Sequence, residues 1–144
     1  ITSIVGSYNL NTDIVEIANA GHQPALLLNG DEFVEYPSSS TPLAVVKQKN
    51  ESVYKLNDFK LGKGRIYCFT DGFSECLDEN KKEIGIEGVK ELILKHKDPS
   101  LKKELENATE EIRIKSLKKD YKEKGVKENN DILDDDLTIV GVGK

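Results

Sequence analysis

The chain has 144 residues, of which 37% are hydrophobic and 33% are charged, and its formal net charge is −5 at pH 7. This length fits one domain with a single hydrophobic core, and the apolar content is too high for a disordered chain. The acidic balance argues against a nucleic-acid partner, because phosphate backbones attract basic surfaces.

The apolar runs are short, and the longest, such as residues 25–28, stay far below the ~20 residues that cross a bilayer. No basic, signal-like segment precedes them, so we expect this segment to make no membrane contact. Cys68 and Cys76 are too few for a disulfide framework, which predicts reduced thiols and a cytoplasmic location. Upstream regions could still attach the full-length protein to a membrane.

Residues 1–36 are predicted to form two β-hairpins, because segments rich in β-branched and apolar residues are separated by polar turns. The predicted strands are residues 1–10, 14–18, 25–28 and 32–36. Asn29-Gly30 is the strongest hairpin signal, since this pair tolerates the positive φ angles of a type I′ turn. A loop is predicted at residues 37–51. Three later strands are predicted at residues 53–56, 65–70 and 137–142.

Two helices are predicted in the second half of the chain. From Ile84 onward, apolar residues recur at helical spacing, which predicts a short amphipathic helix. Asp98-Pro99 then offers an N-cap and a first-turn proline for a long helix that ends before Gly125. The apolar stripe of this helix comprises Leu101, Leu105, Ala108, Ile112, Leu117 and Tyr121. We interpret its many opposite charges as a solvated face rather than a partner surface.

A predicted core strand ends in an acidic residue and a glycine, Asp71 and Gly72. A carboxylate at such a strand end is supported by a rigid backbone and is exposed to solvent, which suits binding of a hard cation such as Mg²⁺ or Mn²⁺. Asp71 is therefore a candidate metal ligand, and Gly72 would permit a close backbone approach or a positive φ. The alternative is an Asx turn, which is the commoner structure for such an aspartate taken alone.

Three consecutive aspartates, Asp134-Asp135-Asp136, directly precede the last predicted strand. Such clustered carboxylates repel one another unless solvent or a cation lies between them, so two acidic strand ends indicate one shared metal. An EF-hand loop is a poor alternative, because the required Gly and Glu positions are missing. Zinc is less favoured still, because the sequence has only two histidines, His22 and His96, and no paired cysteine ligands.

His22 lies in a polar bend, residues 19–24, between two predicted strands. It could act as a base, contact a substrate, or serve as a turn residue that holds the loop by hydrogen bonds, which is our default interpretation. Spacing supports no Ser-His-Asp or Cys-His pairing, and the sequence has no P-loop.

These blocks together resemble the C-terminal part of the PPM-type phosphatase domain found in stage II sporulation protein E and the stress-response regulator RsbU. The matching blocks are the opening strand pair, residues 18–24 followed by Leu26-Leu27-Leu28, and residues 41–45, 67–72 and 135–138. The resemblance implies an α+β fold, a two-layer β-sandwich flanked by helices in an α-β-β-α arrangement. Residues 1–144 would be the C-terminal part of a single such domain.

The resemblance also implies a chemistry, since family members remove phosphate from protein serine or threonine with two Mn²⁺ or Mg²⁺ ions. Asp71 and Asp135 would bind one of these ions, and Asp136 is a second candidate should the strand begin one residue later. Gly72 and His22 would lie near the site. The implied partner is a phosphorylated protein, an anti-sigma-factor antagonist in bacterial signalling.

The sequence departs from the family in lacking its earlier Asp-x-x-Gly-His-Gly block, and Gly21-His22 belongs to a different block. The chain also begins at Ile1, already within a strand-like pattern. We therefore expect an incomplete domain whose N-terminal part lies upstream and which is inactive alone. The rival hypothesis is a non-catalytic binding or scaffold module, a pseudophosphatase, in a bacterial signalling protein. The oligomeric state stays open.

Overall fold

The computed structural model describes residues 1–45, 54–78, 80–124 and 137–143, with side chains as far as residue 115 in the third range. In chain order the elements are β1 (Ser3–Asn9), β2 (Ile14–Ala20), β3 (Ala25–Asn29), β4 (Glu32–Tyr36), β5 (Leu56–Lys60), β6 (Arg65–Phe69), α1 (Asp71–Ser74), α2 (Gly85–Lys95), α3 (Leu101–Lys124) and β7 (Ile139–Gly143). Contacts divide the chain into two compact units, Ile1–Cys68 with Gly141–Lys144, and Phe69–Val140. This mixture of strands and helices confirms the predicted α+β class.

The first sheet has the order β1-β2-β5 and is antiparallel throughout. Its β1–β2 hairpin confirms the prediction, with Asn9 paired to Ile14. Asn9 also closes the turn, because its Oδ1 accepts hydrogen bonds from the backbone N–H groups of Asn11 (3.0 Å) and Thr12 (3.2 Å). A short polar side chain thus satisfies backbone groups that the ladder leaves unpaired.

The third strand of this sheet, β5, lies further along the chain than predicted. It covers Leu56–Lys60, whereas the prediction was residues 53–56, part of which lies outside the described residues. Asn57 and Asp58 have low strand propensity, yet both pair with β2. Pairing with a neighbouring strand therefore overrides the local propensity here.

The second sheet has the order β4-β3-β6-β7. Residues 25–28 of β3 are no more than 3% exposed, as expected for an uninterrupted apolar run in a central strand. The predicted β3–β4 hairpin is confirmed, but its turn lies one residue later, because Asn29 pairs with Glu32. The loop is therefore Gly30-Asp31, and only Gly30 has a positive φ (+62°), which fits a type II′ rather than the predicted type I′ turn.

The two sheets pack face to face in the first unit around an apolar cluster. The cluster combines side chains from both sheets and from the β5–β6 turn: Val15, Ile17, Ala25, Leu27, Leu61 and Ile66. Tyr36 of β4 and Phe59 of β5 pack against it and stack on each other with ring centroids 4.5 Å apart. This arrangement confirms the predicted two-layer sandwich.

The second unit contains the helices. The predicted amphipathic helix is confirmed as α2, which buries Val89, Leu92 and Ile93. Helix α1 was not predicted, because the apolar run of β6 gave a strand signal up to Thr70 and four residues are too few for a helical period.

Helix α3 begins at Leu101, two residues later than its signals suggested, so the predicted N-cap at Asp98 and first-turn position of Pro99 are wrong. Asp98 instead closes a turn before the helix, because its Oδ1 accepts a hydrogen bond from Ser100 N (2.7 Å). Glu104 supports the same turn. Its side chain is only 1% exposed, and its Oε2 accepts a hydrogen bond from Asp98 N (3.1 Å).

The apolar stripe of α3 is confirmed where its side chains are described. Ala108 and Ile112 are 1% and 0% exposed, and Leu101 and Leu105 are half-buried. The side chains of Leu117 and Tyr121 lie outside the described residues.

Glu111 on α3 links this helix to the end of α2. Its Oε2 lies 2.7 Å from both Lys95 Nζ and His96 Nε2, and its Oε1 lies 2.9 Å from Lys115 Nζ. Partial burial alone would raise the pKa of this carboxyl, but the hydrogen bonds from its three partners outweigh burial and lower the pKa to about 2. The interpretation of the charged face as solvated is therefore wrong at Glu104 and Glu111.

Both cysteines are free, as predicted, and burial raises the pKa of the Cys68 thiol. No helix in the described part of the chain combines the length and the apolar character that crossing a membrane requires.

We predict that Glu111→Gln lowers the free energy of unfolding by about 1 kcal/mol, because the neutral amide loses charge-assisted hydrogen bonds at a partly exposed site. The folded-state pKa of about 2 lies below the ordinary value of 4.5. The stabilisation is therefore present above that ordinary value and is lost as the pH falls toward the folded-state pKa. Urea unfolding across this pH range measures both effects.

Glu106→Gln is the matched control, because Glu106 makes an exposed pair with Lys102 at 3.7 Å on the same helix. The control should change the free energy of unfolding little. Equal losses in the two variants, or a Glu111→Gln variant with the pH dependence of the wild type, would contradict the assignment.

Candidate functional site

Asp71 lies where strand β6 ends and helix α1 begins. Phe69, two residues earlier, is 2% exposed, whereas Asp71 is exposed. Among the described residues, the one hydrogen bond of its carboxylate comes from Gly72 N to Oδ1 (3.2 Å). Gly72 lies within α1, so the predicted positive φ is wrong, and the close backbone approach stays a prediction.

The backbone of Asp71 is anchored although its side chain faces solvent. Its carbonyl oxygen accepts hydrogen bonds from Ser74 Oγ (3.1 Å) and Glu75 N (2.8 Å). Phe73 in the same turn is fully buried and meets Phe69 edge to face, with ring centroids 6.5 Å apart. The carboxylate therefore projects into water from a fixed backbone.

Thr70 and Thr138 join the end of β6 to the start of β7. Thr70 N donates to Thr138 O (3.0 Å), and Thr138 N donates to the side-chain Oγ1 of Thr70 (3.0 Å). At the other end of the two strands, Gly143 lies against Arg65, since a Cβ at Gly143 would be 2.8 Å from Arg65 Cγ. The two strands are therefore antiparallel, and the end of β6 lies beside the start of β7.

Asp134, Asp135 and Asp136 lie outside the described residues, so the predicted convergence of Asp71 with Asp135 or Asp136 stays a prediction. Within the residues that the structure describes, no group of three or more His, Cys, Asp and Glu side chains is arranged to hold a metal ion. The exposed, anionic oxygens of Asp71 are the hard donors that Mn²⁺ and Mg²⁺ prefer. Among the described residues, Asp71 thus has the chemistry and exposure expected of one ligand in such a site.

Asn19 organises the bend that contains His22. It is 2% exposed, its Oδ1 accepts a hydrogen bond from His22 N (2.9 Å), and its Nδ2 donates to Gln23 O (2.9 Å). His22 is a turn residue, as interpreted, but it is held through its backbone. Sequence reasoning overlooked Asn19, although an asparagine at the start of a polar bend is a recognised signal for such a turn.

Gly21 in the same bend is required for two reasons. Its φ is +71°, and a Cβ would lie 2.4 Å from Pro42 Cγ. Its N–H donates to Ser38 Oγ (2.6 Å), and that oxygen also lies 2.8 Å from Ser40 O. The loop of residues 38–42 therefore packs directly on the bend, which local sequence does not reveal.

Comparison with known proteins gives a family. A family model described as stage II sporulation protein E (SpoIIE) matches residues 1–143. No curated protein matches the chain. Among solved structures, the phosphatase domain of the cell fate determinant SpoIIE from Bacillus subtilis matches with a TM-score of 0.60 at 15% identity, covering 99% of this chain and 57% of that one.

Two further structures have the same fold. A SpoIIE structure from Bacillus subtilis with the PP2C phosphatase domain and a fragment of the regulatory domain matches with a TM-score of 0.71 at 16% identity, over 99% of this chain and 37% of that one. The RsbU and RsbW domains of a Mycobacterium tuberculosis protein match with a TM-score of 0.55 at 20% identity, over 79% and 32%. The chain therefore spans 57% or less of the length of these structures.

We predict that Asn19→Ala lowers the free energy of unfolding by about 1–3 kcal/mol, because it leaves a backbone N–H and a carbonyl without their partner in a partly buried turn. His22→Ala should cost less, within about 0.5 kcal/mol, because the His22 hydrogen bond comes from its backbone. Chemical denaturation of both variants tests the difference. A larger loss of stability in His22→Ala than in Asn19→Ala would show that the imidazole, rather than the Asn19 side chain, stabilises the turn.

Proposed function

Because the chain belongs to the stage II sporulation protein E family, we propose that it forms part of a metal-dependent phosphatase that hydrolyses phosphoserine or phosphothreonine in a protein. The fold is that of PP2C-type serine/threonine phosphatase domains. The observation that carries the proposal is Asp71, an exposed carboxylate on a fixed backbone at the end of a buried strand.

We assign Asp71 and Asp135 as ligands of one Mn²⁺ or Mg²⁺ ion. The contact between Thr70 and Thr138 supports this pairing, because it brings β7 beside the residue that precedes Asp71. Asp135 precedes Thr138 by three residues, so its Cα can lie no more than about 11 Å from the Thr138 Cα. Asp136 is one residue closer and is the alternative ligand.

The residues of the chain would position the metal rather than take part in covalent chemistry. Asp71 would supply the charge that holds the ion, and its Oδ1 accepts a hydrogen bond from Gly72 N. A bound ion would supply a water of lowered pKa and neutralise charge on the phosphoryl oxygens. Two ions are proposed for the complete domain, with the remaining ligands outside residues 1–144.

For the substrate we propose a phosphorylated anti-sigma-factor antagonist in bacterial signalling. Membership of the SpoIIE family and the likeness to a protein that carries RsbU and RsbW domains support this choice. We also propose that residues 1–144 are the C-terminal part of one phosphatase domain that works in the cytoplasm.

We predict that residues 1–144 alone have no appreciable phosphatase activity, because a single acidic cluster cannot hold two divalent ions against their reluctance to lose water. Release of phosphate from a phosphoserine peptide would be measured with Mn²⁺, and the full-length protein would serve as the positive control. Robust manganese-dependent hydrolysis by the segment alone would show that the site is complete within it.

In the full-length protein, Asp71→Asn and Asp135→Asn should each abolish turnover and weaken the dependence on Mn²⁺, because asparagine retains the size but removes the charge that holds the ion. The fold should be retained. Asp58→Asn is the control, since Asp58 is an exposed residue of β5 and undergoes the same chemical change. Activity across a manganese titration and Mn²⁺ affinity by calorimetry are the measurements.

Near-normal activity of Asp71→Asn would overturn the metal assignment. A loss in Asp136→Asn but not in Asp135→Asn would transfer the second ligand to Asp136. His22→Ala should reduce the rate by only about tenfold, compared with the 10²–10⁴-fold typical of a lost general acid or base. A full-length protein that binds its phosphorylated partner without hydrolysing it would instead support the rival function of a non-catalytic module.

A further inference from the structure

A groove of about 440 Å³ lies between the turn at residues 77–83, helix α2 and helix α3. Leu77 and Glu83 close this turn as a single antiparallel β-bridge, so the turn ends directly before α2. The residues that line the groove fall between positions 78 and 115, within the second compact unit. Clefts that hold ligands commonly have volumes of about 300–1,000 Å³, so this groove is large enough to receive side chains of another molecule.

The floor of the groove is apolar and follows one side of α2. Ile84, Gly88 and Leu92 line it, and because they are four residues apart they lie in one row along the helix. Glycine within a helix is unfavourable relative to alanine, yet Gly88 has a packing reason. A Cβ there would lie 2.4 Å from Ile84 Cβ, so Ile84 packs directly across the position.

The walls of the groove are charged, and their carboxylates outnumber their ammonium groups. The lining includes five acidic residues, Asp78, Glu83, Glu87, Glu91 and Glu111, and three lysines, Lys82, Lys95 and Lys115. All three lysines have an acidic neighbour, because Lys95 and Lys115 pair with Glu111 and Lys82 attracts the Asp78 carboxylate. The excess charge of the groove is therefore negative.

Two of these carboxylates are available to a binding partner. Glu83 and Glu91 are exposed, and in the part of the chain that the structure describes their side chains have no hydrogen-bond or ion-pair partner. Within the same residues, no group of three or more His, Cys, Asp and Glu side chains is arranged to hold a metal ion. Separated carboxylates above an apolar floor suit Lys or Arg side chains instead, because these combine a charged end with an apolar stem.

We propose that this groove docks an extended segment of a partner protein in which Lys or Arg residues lie beside an apolar residue. Glu87 and Glu91 are separated by four residues, which is about 6 Å along α2. Alternate residues of an extended chain are about 6.6–6.8 Å apart, so two basic side chains of such a segment match this spacing. The apolar residue would lie on the floor over Gly88. The inference goes beyond the proposed function, since it involves neither Asp71 nor a metal ion.

The test measures binding of a labelled peptide to the full-length protein by fluorescence anisotropy. The peptide contains a leucine followed by two alternate lysines, and a reference peptide has glutamates in place of the lysines. We expect only the lysine peptide to bind, and we expect high salt to weaken its binding because the carboxylates are exposed. Replacing its leucine by serine should also weaken binding. Measurement in chelator keeps the result independent of the proposed metal site.

Substitutions in the protein then locate the binding surface. Glu91→Gln should weaken binding of the lysine peptide by about two- to fivefold, and the double variant Glu83→Gln/Glu91→Gln by about tenfold. Both side chains are exposed, so the Tm should change little. Glu106→Gln is the matched control, because Glu106 is an exposed glutamate of α3 that does not line the groove. It should leave peptide affinity unchanged.

Equal affinity for the lysine and glutamate peptides would overturn the proposal. So would wild-type affinity in the double variant, or the same loss in Glu106→Gln. Competition by free arginine as effective as that by the peptide would show a site for a small cation rather than for a protein segment. A wild-type dimer that dissociates in the double variant, with peptide affinity unchanged, would show that a second copy of the chain occupies the groove.

Discussion

The position of strand β6 between β3 and β7 is the constraint on which the candidate site depends. Residues 25–28 of β3 are at most 3% exposed, and β3 pairs with β6 from Leu26↔Tyr67 to Leu28↔Arg65. Because these side chains are removed from water, the strand cannot shift without exposing apolar surface, which costs about 25 cal/mol per Å². Thr70, which follows β6, is therefore held in place, and Asp71 is the next residue in the chain.

Short polar side chains complete the backbone hydrogen bonding wherever regular pairing stops. Asn9 does so at the first hairpin, Asn19 at the bend with His22, and Thr70 at the passage from β6 to α1. Each side-chain oxygen accepts a backbone N–H that the ladder leaves without an acceptor. The bend and the acidic strand end are thus fixed by the same kind of interaction, although only the latter offers an exposed carboxylate.

The charged residues of α3 show why a count of surface charges says little about their roles. Lys102 and Glu106 form an exposed pair at 3.7 Å, an arrangement that contributes little to stability. Glu111 instead accepts hydrogen bonds from Lys95 of α2 and Lys115 of α3, and Glu104 is buried against the turn before α3. Composition cannot separate these cases, because they differ in burial and in partners that are distant in sequence.

The sequence by itself determined the family, the α+β class, both hairpins, α2, the extent of α3 to within two residues and the place of Asp71 at a strand end. These features follow from local patterns, such as the apolar run of β3 and the helical period of α2, whose physical causes act over a few residues. Tertiary structure decided the position of β5, the pairing of Thr70 with Thr138 and the burial of Glu104. Each of these depends on a partner that folding brings close, so neither propensity nor spacing along the chain could specify it.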